Sequence, residues 1–241
     1  LINAMYYAML AGHSVLYVTL ELSERAVLRR MYSRIAYATK KKLRDEDKIR
    51  ETVNTYFNNA GGRGRIVYRP GRVLTVEGLE ALLQQQEVHY DFVPDILVVD
   101  YLDRMRAGAE DRRTEVRHQL RNITDDLRSL ALRRHIPVVT ATQASKKAIE
   151  GKVGKSGEFT DAHVSESFGK VEVADVIIGL IRNEAEIEVN RGRLSMLKNR
   201  EFASGAKIEI YIDFELMFLA DLDFAKRMGF KIRDVAEQAK K

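Results

Sequence analysis

Three short apolar blocks constrain this chain more than any other feature: residues 15–20 (VLYVTL), 95–100 (DILVVD) and 137–142 (PVVTAT). Continuous apolar, β-rich runs of this length, without polar alternation, mark strands buried on both faces. The segments between them carry helical spacing. Residues 2–11 read as a helix stopped by Gly12, since glycine tolerates the left-handed position past a helix end. Ser23 caps a helix over 25–39, residues 45–59 form a more polar one, and Thr75 caps a helix over 75–86. The glycine-rich loop 61–64 feeds a strand at 65–68. Val116, Leu120, Ile123, Leu127, Leu130 and Leu132 recur at helical spacing through 114–134. Strands alternating with helices through residue 142 predict a doubly wound, mostly parallel α/β sheet. Consecutive strands at 173–181, 193–198 and 207–214, with a turn at Ser204-Gly205, predict an antiparallel edge near the C-terminus. Residues 1–222 are expected to form one domain, and residues 223–241 a helical tail.

Composition narrows the function classes. The 241 residues include no cysteine, which excludes disulfide scaffolds, thiolate zinc sites and cysteine nucleophiles. Among the five histidines none has metal-ligand spacing with another. No apolar run approaches the ~20 residues a membrane span needs, so no membrane partner is expected. Forty Lys and Arg against 35 acids leave a net charge of +5, which permits a nucleic-acid partner without demanding one.

In a doubly wound sheet, side chains just past the carboxyl ends of the strands face the ligand. Three such ends carry polar groups: Glu21, Asp100 and Gln143. An apolar run ending in Asp is similar to a Walker B element, whose carboxylate holds Mg²⁺ through water. Each residue alone has an ordinary explanation: solvation of a strand end for Asp100, a helix-start residue for Glu21. In order, on successive buried strands, they are far more specific.

The segments VLYVTLELSERAVLRRM (15–31), PDILVVDYLDRM (94–105), PVVTATQASKK (137–147), ADVIIGLIRNE (174–184) and LSMLKNREFASG (194–205) resemble the DnaB-type hexameric replicative DNA helicases, which have a RecA-like ATPase fold. Within that family the chain is most similar to the branch from T-even-like bacteriophages, on GHSVLY, DFVPDILVVDYL and TATQASKKA. The resemblance spans about residues 1–220. It implies an ATP hydrolase that uses Mg²⁺, translocates on single-stranded DNA and unwinds duplex. It further implies a homo-hexameric ring, partners such as a primase or a helicase loader, and a place in the cytoplasm of the bacterial host. On this resemblance Glu21 polarises the attacking water, Asp100 holds the metal through water, and Gln143 senses the γ-phosphate. Lys198 and Arg200 would reach the neighbouring subunit's nucleotide, although a solvated hairpin edge explains both without it.

One expected element is missing. The P-loop, G-x-x-x-x-G-K-[ST], would lie just before Leu1, and the chain is expected to begin after it. The GKS at Gly154-Lys155-Ser156 does not replace it, because Ile149 stands where the leading glycine belongs and no apolar helix follows. Lys146, Lys147, Lys152 and Lys155, with the single acid Glu150 among them, instead suit the DNA-backbone loop that the resemblance implies. Arg104, Arg106, Arg112 and Arg113 form a second candidate channel loop, and solvated charged loops are the ordinary alternative for both. Two other readings stay open: a recombinase or clock-type (RecA- or KaiC-like) ATPase of the same fold, and a non-catalytic DNA-binding relic without a P-loop. Arg25, Arg29, Arg30 and Arg34 are expected on the polar face of their helix, and Met5, Tyr6, Tyr7 and Met9 in the core.

Overall fold

The computed structural model describes residues 1–39, 41–44, 46–108, 115–143 and 172–233. The chain divides into two compact units, Leu1–Gln143 and Ala144–Lys241.

The first unit holds α1 (Ile2–Leu10), β1 (Val15–Thr19), α2 (Glu24–Ala36), α3 (Glu46–Asn59), β2 (Gly64–Tyr68), α4 (Val76–Tyr90), β3 (Ile96–Asp100), α5 (Val116–Arg134) and β4 (Val138–Thr140). Its four strands form one parallel sheet in the order β2-β1-β3-β4. The three apolar blocks are therefore β1, β3 and β4, adjacent in space. Alternation along β1 splits the core into two layers. Leu16, Val18 and Leu20 pack with Leu79 and Leu83 of α4 and Leu127 and Leu130 of α5. Val15 and Tyr17 pack on the opposite face with Met5 and Met9 of α1, Val27 and Met31 of α2, and Tyr56 of α3. Helices on both faces explain why the strands have no polar side.

Both expected caps are present. The Ser23 hydroxyl accepts from the Ala26 N–H, and the Thr75 hydroxyl from the Gly78 N–H. Helix α4 runs four residues past the expected end, to Tyr90, and closes on Asp91 in the left-handed region. Tyr7, expected in the core, is 42% exposed, while Met5, Tyr6 and Met9 are buried.

Arg34 departs from its expected place on the polar face of α2. It is fully buried. Its guanidinium lies 3.8 Å from the Tyr6 ring centroid and close to Tyr7 and Tyr37. Its Nε donates to Asn3 Oδ1 at 2.8 Å and its Nη2 to the Tyr7 hydroxyl at 3.0 Å. The reason is periodicity: Arg34 follows Met31 by three positions and Val27 by seven, which puts it on the same stripe as both. Replacing it by Ala removes this packing and the two hydrogen bonds to Asn3 and Tyr7. Arg34→Ala is expected to destabilise the protein by about 2–3 kcal/mol, read as a lowered urea midpoint at unchanged m-value.

The second unit is described from residue 172 to residue 233. It contains β5 (Val176–Ile181), a short helix α6 (Glu184–Glu188), β6 (Arg191–Asn199), β7 (Lys207–Asp213), β8 (Phe218–Asp221) and α7 (Leu222–Arg227). The strands form an antiparallel meander in the order β5-β6-β7-β8. The expected parallel and antiparallel parts are thus both present, as two four-stranded sheets. Gly205, with φ of +96°, sits in the β6–β7 connection and donates its N–H to the Met196 carbonyl at 2.8 Å. Strand β8 and helix α6 were not expected from the sequence; each is too short for its periodicity to register. A capping box between Asn183 and Glu186 starts α6. Helix α7 ends at Arg227, short of the expected 223–241 helix, and Gly229 with φ of +84° follows. Residues 234–241 lie outside the described residues.

Candidate functional site

The site forms where β1, β3 and β4 end. Thr19 pairs with Asp100 across β1 and β3, and Val99 with Thr140 across β3 and β4. Backbone bonds continue past the strands: Leu20 N–H donates to the Asp100 carbonyl at 2.8 Å, and Leu102 N–H to the Ala141 carbonyl at 3.1 Å. Glu21, Asp100 and Gln143 therefore lie within three residues of adjacent strand ends at one edge of one sheet. Helix α1 starts at the same edge.

Each of the three differs in its surroundings. Asp100 Oδ2 accepts a 2.6 Å hydrogen bond from the Tyr17 hydroxyl. Burial, then the hydrogen bond to Asp100 and its charge, push the Tyr17 phenol far above its ordinary pKa, so it is a donor at every working pH. Glu21 is exposed and forms an ion pair with Arg104, Nη2 to Oε1 at 3.3 Å. Arg104 also donates from Nε to the Tyr101 hydroxyl at 3.2 Å. Its pKa is raised, first by that bond and by Tyr101 and then by Glu21. The loop after β2 supports the arrangement, because the Arg72 N–H donates to the Arg104 carbonyl at 2.6 Å. Arg104, one of the four arginines of the second candidate channel loop, pairs here with Glu21. Gln143 is exposed, and two residues before it the Ala141 carbonyl ties the β4 end to Leu102.

The donor set fits Mg²⁺. Asp100 supplies one hard oxygen donor at the strand end. That chemistry suits an ion that keeps most of its waters and is shared with phosphate oxygens.

Lys198 and Arg200 belong to the second unit and form a group of their own. Lys198 Nζ donates to the Glu172 carbonyl at 2.7 Å. Arg200 Nη1 pairs with Asp175 Oδ1 at 2.9 Å, and its Nη2 donates to the Val173 carbonyl at 3.3 Å. Lys146, Lys147, Lys152, Lys155, Arg112 and Arg113 lie outside the described residues. The sequence reading missed two members of the edge, Tyr17 and Arg104. Tyr17 left a signal, since it is the one hydroxyl-bearing aromatic inside an aliphatic strand and a buried phenol needs a partner.

A parallel α/β sheet wrapped by helices on both faces, with a carboxylate ending its second inner strand, is the layout of a RecA-like ATPase domain. The chain belongs to the DnaB-like helicase C-terminal domain family, whose model matches residues 1–219. It is 24% identical over 209 residues to the DnaB-like replicative helicase of Enterobacteria phage T4, a match covering 78% of this chain and 40% of that protein. The chain thus spans less than half the length of that relative. Among solved structures, an isolated ATPase domain superposes with a TM-score of 0.77 at 17% identity, covering 92% of this chain and 78% of that one. A DnaB-like replicative helicase, in a structure describing its interactions with primase, gives a TM-score of 0.73 at 16% identity over 88% of this chain and 51% of that one. Among the described residues no helix is long and apolar enough to cross a membrane.

Proposed function

We propose that this chain is the motor domain of a ring-shaped replicative helicase, hydrolysing ATP to move along single-stranded DNA and unwind duplex. The observation that carries the reading is the alignment of Glu21 and Asp100 on adjacent strand ends, Thr19 opposite Asp100, in a chain of this family. Residues 1–222 would act as the ATPase domain, with residues 223–241 as a tail. Its partners would be other copies of itself in a hexamer, a primase and a loader, in the cytoplasm of a bacterial host.

Phosphoryl transfer asks for positioning and charge neutralisation more than covalent chemistry. Glu21 would take a proton from the attacking water and orient it. Asp100 would hold Mg²⁺ through water; the bound ion supplies charge neutralisation at the phosphate oxygens. Gln143, at the end of β4, would hydrogen-bond the γ-phosphate and report its loss to the segment that follows. Lys198 and Arg200 would act on the nucleotide of the neighbouring subunit, where an added cation stabilises the charge that develops in transfer.

Lys146, Lys147, Lys152 and Lys155, with Arg112 and Arg113, would hold the DNA backbone. Phosphate contacts of this kind give affinity without sequence preference. Replacing the four lysines together by Ala is expected to weaken single-stranded DNA binding equally across sequences. The log–log salt slope should flatten by about 0.7 for each phosphate no longer neutralised. Fluorescence anisotropy on two unrelated oligonucleotides from low to high salt measures both. An unchanged slope returns these lysines to a solvated loop.

A further inference from the structure

We infer that Tyr17 is a positioning residue for Asp100: its buried hydroxyl fixes the strand-end carboxylate that the proposed function assigns to Mg²⁺. The inference rests on that assignment and adds to it a residue on a different strand.

The geometry begins with register. Tyr17 pairs with Val98 across β1 and β3, and Asp100 lies two residues further along β3 on the same face. Diagonal neighbours of this kind in a sheet are within reach of an aromatic side chain. The Tyr17 hydroxyl closes that diagonal with the 2.6 Å bond to Oδ2. The ring is 1% exposed and packs in the layer that contains Val27, Met31 and Val98, so it has no room to swing. A donor held this firmly selects one orientation of its acceptor. Asp100, at the sheet edge, would otherwise rotate among several.

The hydroxyl is not needed for packing. Val15, Leu16 and Val18 beside it on β1 are aliphatic, and phenylalanine would fill the position of Tyr17 without burying a polar atom. What the oxygen adds is a directed bond to the one carboxylate at the end of β3. With one carboxylate oxygen engaged by the Tyr17 hydroxyl, Asp100 presents a defined face to the edge where Glu21 and the start of α1 also lie. Groups that orient a metal-holding side chain in this way typically change metal affinity by about 10- to 100-fold when removed.

The test uses the full-length protein with the analogue AMP-PNP bound, and Mn²⁺ as the metal probe, read by electron paramagnetic resonance. Tyr17→Phe is expected to weaken Mn²⁺ binding about tenfold and to raise the Mg²⁺ concentration for half-maximal ATPase by a similar factor. The KM for ATP at saturating Mg²⁺ should stay within twofold. Tyr17→Met, which also lacks the hydroxyl, should show the same weakening and keeps the test open if Phe disturbs folding. In an Asp100→Asn background the Tyr17→Phe change should add no further loss. A lowered melting temperature with unchanged Mn²⁺ affinity would make Tyr17 purely structural and overturn the inference, as would an equal loss in the Asp100→Asn background. Unchanged Mn²⁺ binding in Asp100→Asn alone would instead overturn the assignment of Asp100 on which the inference stands.

Discussion

Glu21→Gln in the full-length protein is expected to lower kcat for ATP hydrolysis by at least about a hundredfold while nucleotide still binds. A positioned general base contributes roughly 10²–10⁴ in rate, and the amide keeps the size of the side chain while removing its ability to take a proton. The structure also says why folding should survive. Glu21 is exposed on the loop after β1, and its charged partner Arg104 keeps its bond to the Tyr101 hydroxyl and its backbone tie to Arg72. Asp100→Asn should give the opposite division of effects. Metal binding weakens, and hydrolysis falls with it, although raised Mg²⁺ restores part of the rate. Steady-state ATPase assays over a Mg²⁺ series, beside binding of a fluorescent ATP analogue, separate the two variants. Parent-like turnover in both would remove this sheet edge from the chemistry.

Much of this was legible in the sequence, for a physical reason. Strands β1 and β3 are covered by helices on both faces, so they read as unbroken apolar blocks with conspicuous ends. Strand β4, expected buried on both faces, is instead a half-buried edge strand of three residues. The residues at those ends, Glu21, Asp100 and Gln143, follow directly. The interactions that hold the ends in place were not legible, because they join residues far apart in sequence. The Tyr17–Asp100 and Arg104–Glu21 bonds each span 83 positions. Arg34 reads as a surface residue by its charge, although spacing alone puts it under Val27 and Met31. The Tyr6, Tyr7 and Tyr37 rings that receive its guanidinium come from two separate segments. Strand β8 covers four residues, Phe218–Asp221, too few to show alternation. Lys198 and Arg200 were legible as a pair of cations on a hairpin, but not their bonds to the segment from Glu172 to Asp175.

Those bonds bear on the second large effect. Arg200 would serve a site in the next subunit, where such a finger contributes about 10³–10⁵ in rate. Within its own protomer the guanidinium is paired with Asp175, the two side chains being 43% and 53% exposed. An ion pair so open to solvent contributes at most about 1 kcal/mol. Arg200→Ala should therefore fold, bind nucleotide and hydrolyse it at least about a thousandfold more slowly than the parent. Both terminal nitrogens of Arg200 are engaged, by Asp175 and by the Val173 carbonyl. Each of these nitrogens keeps a second N–H, so the guanidinium can still donate to a further acceptor.

A ring motor with composite sites makes a demand that no single-subunit enzyme makes. Arg200→Ala subunits keep Glu21, and Glu21→Gln subunits keep Arg200. When the two are mixed, some interfaces bring an intact Glu21 of one subunit to an intact Arg200 of the next. The decisive measurement is ATPase rate against mixing ratio of these two variants, with single-stranded DNA present and subunit exchange verified by fluorescence energy transfer. The proposed motor predicts a curve near zero at both ends with a maximum at intermediate ratios. A curve that stays flat in rings that do exchange subunits would show that Arg200 does not complete its neighbour's site, and would contradict it.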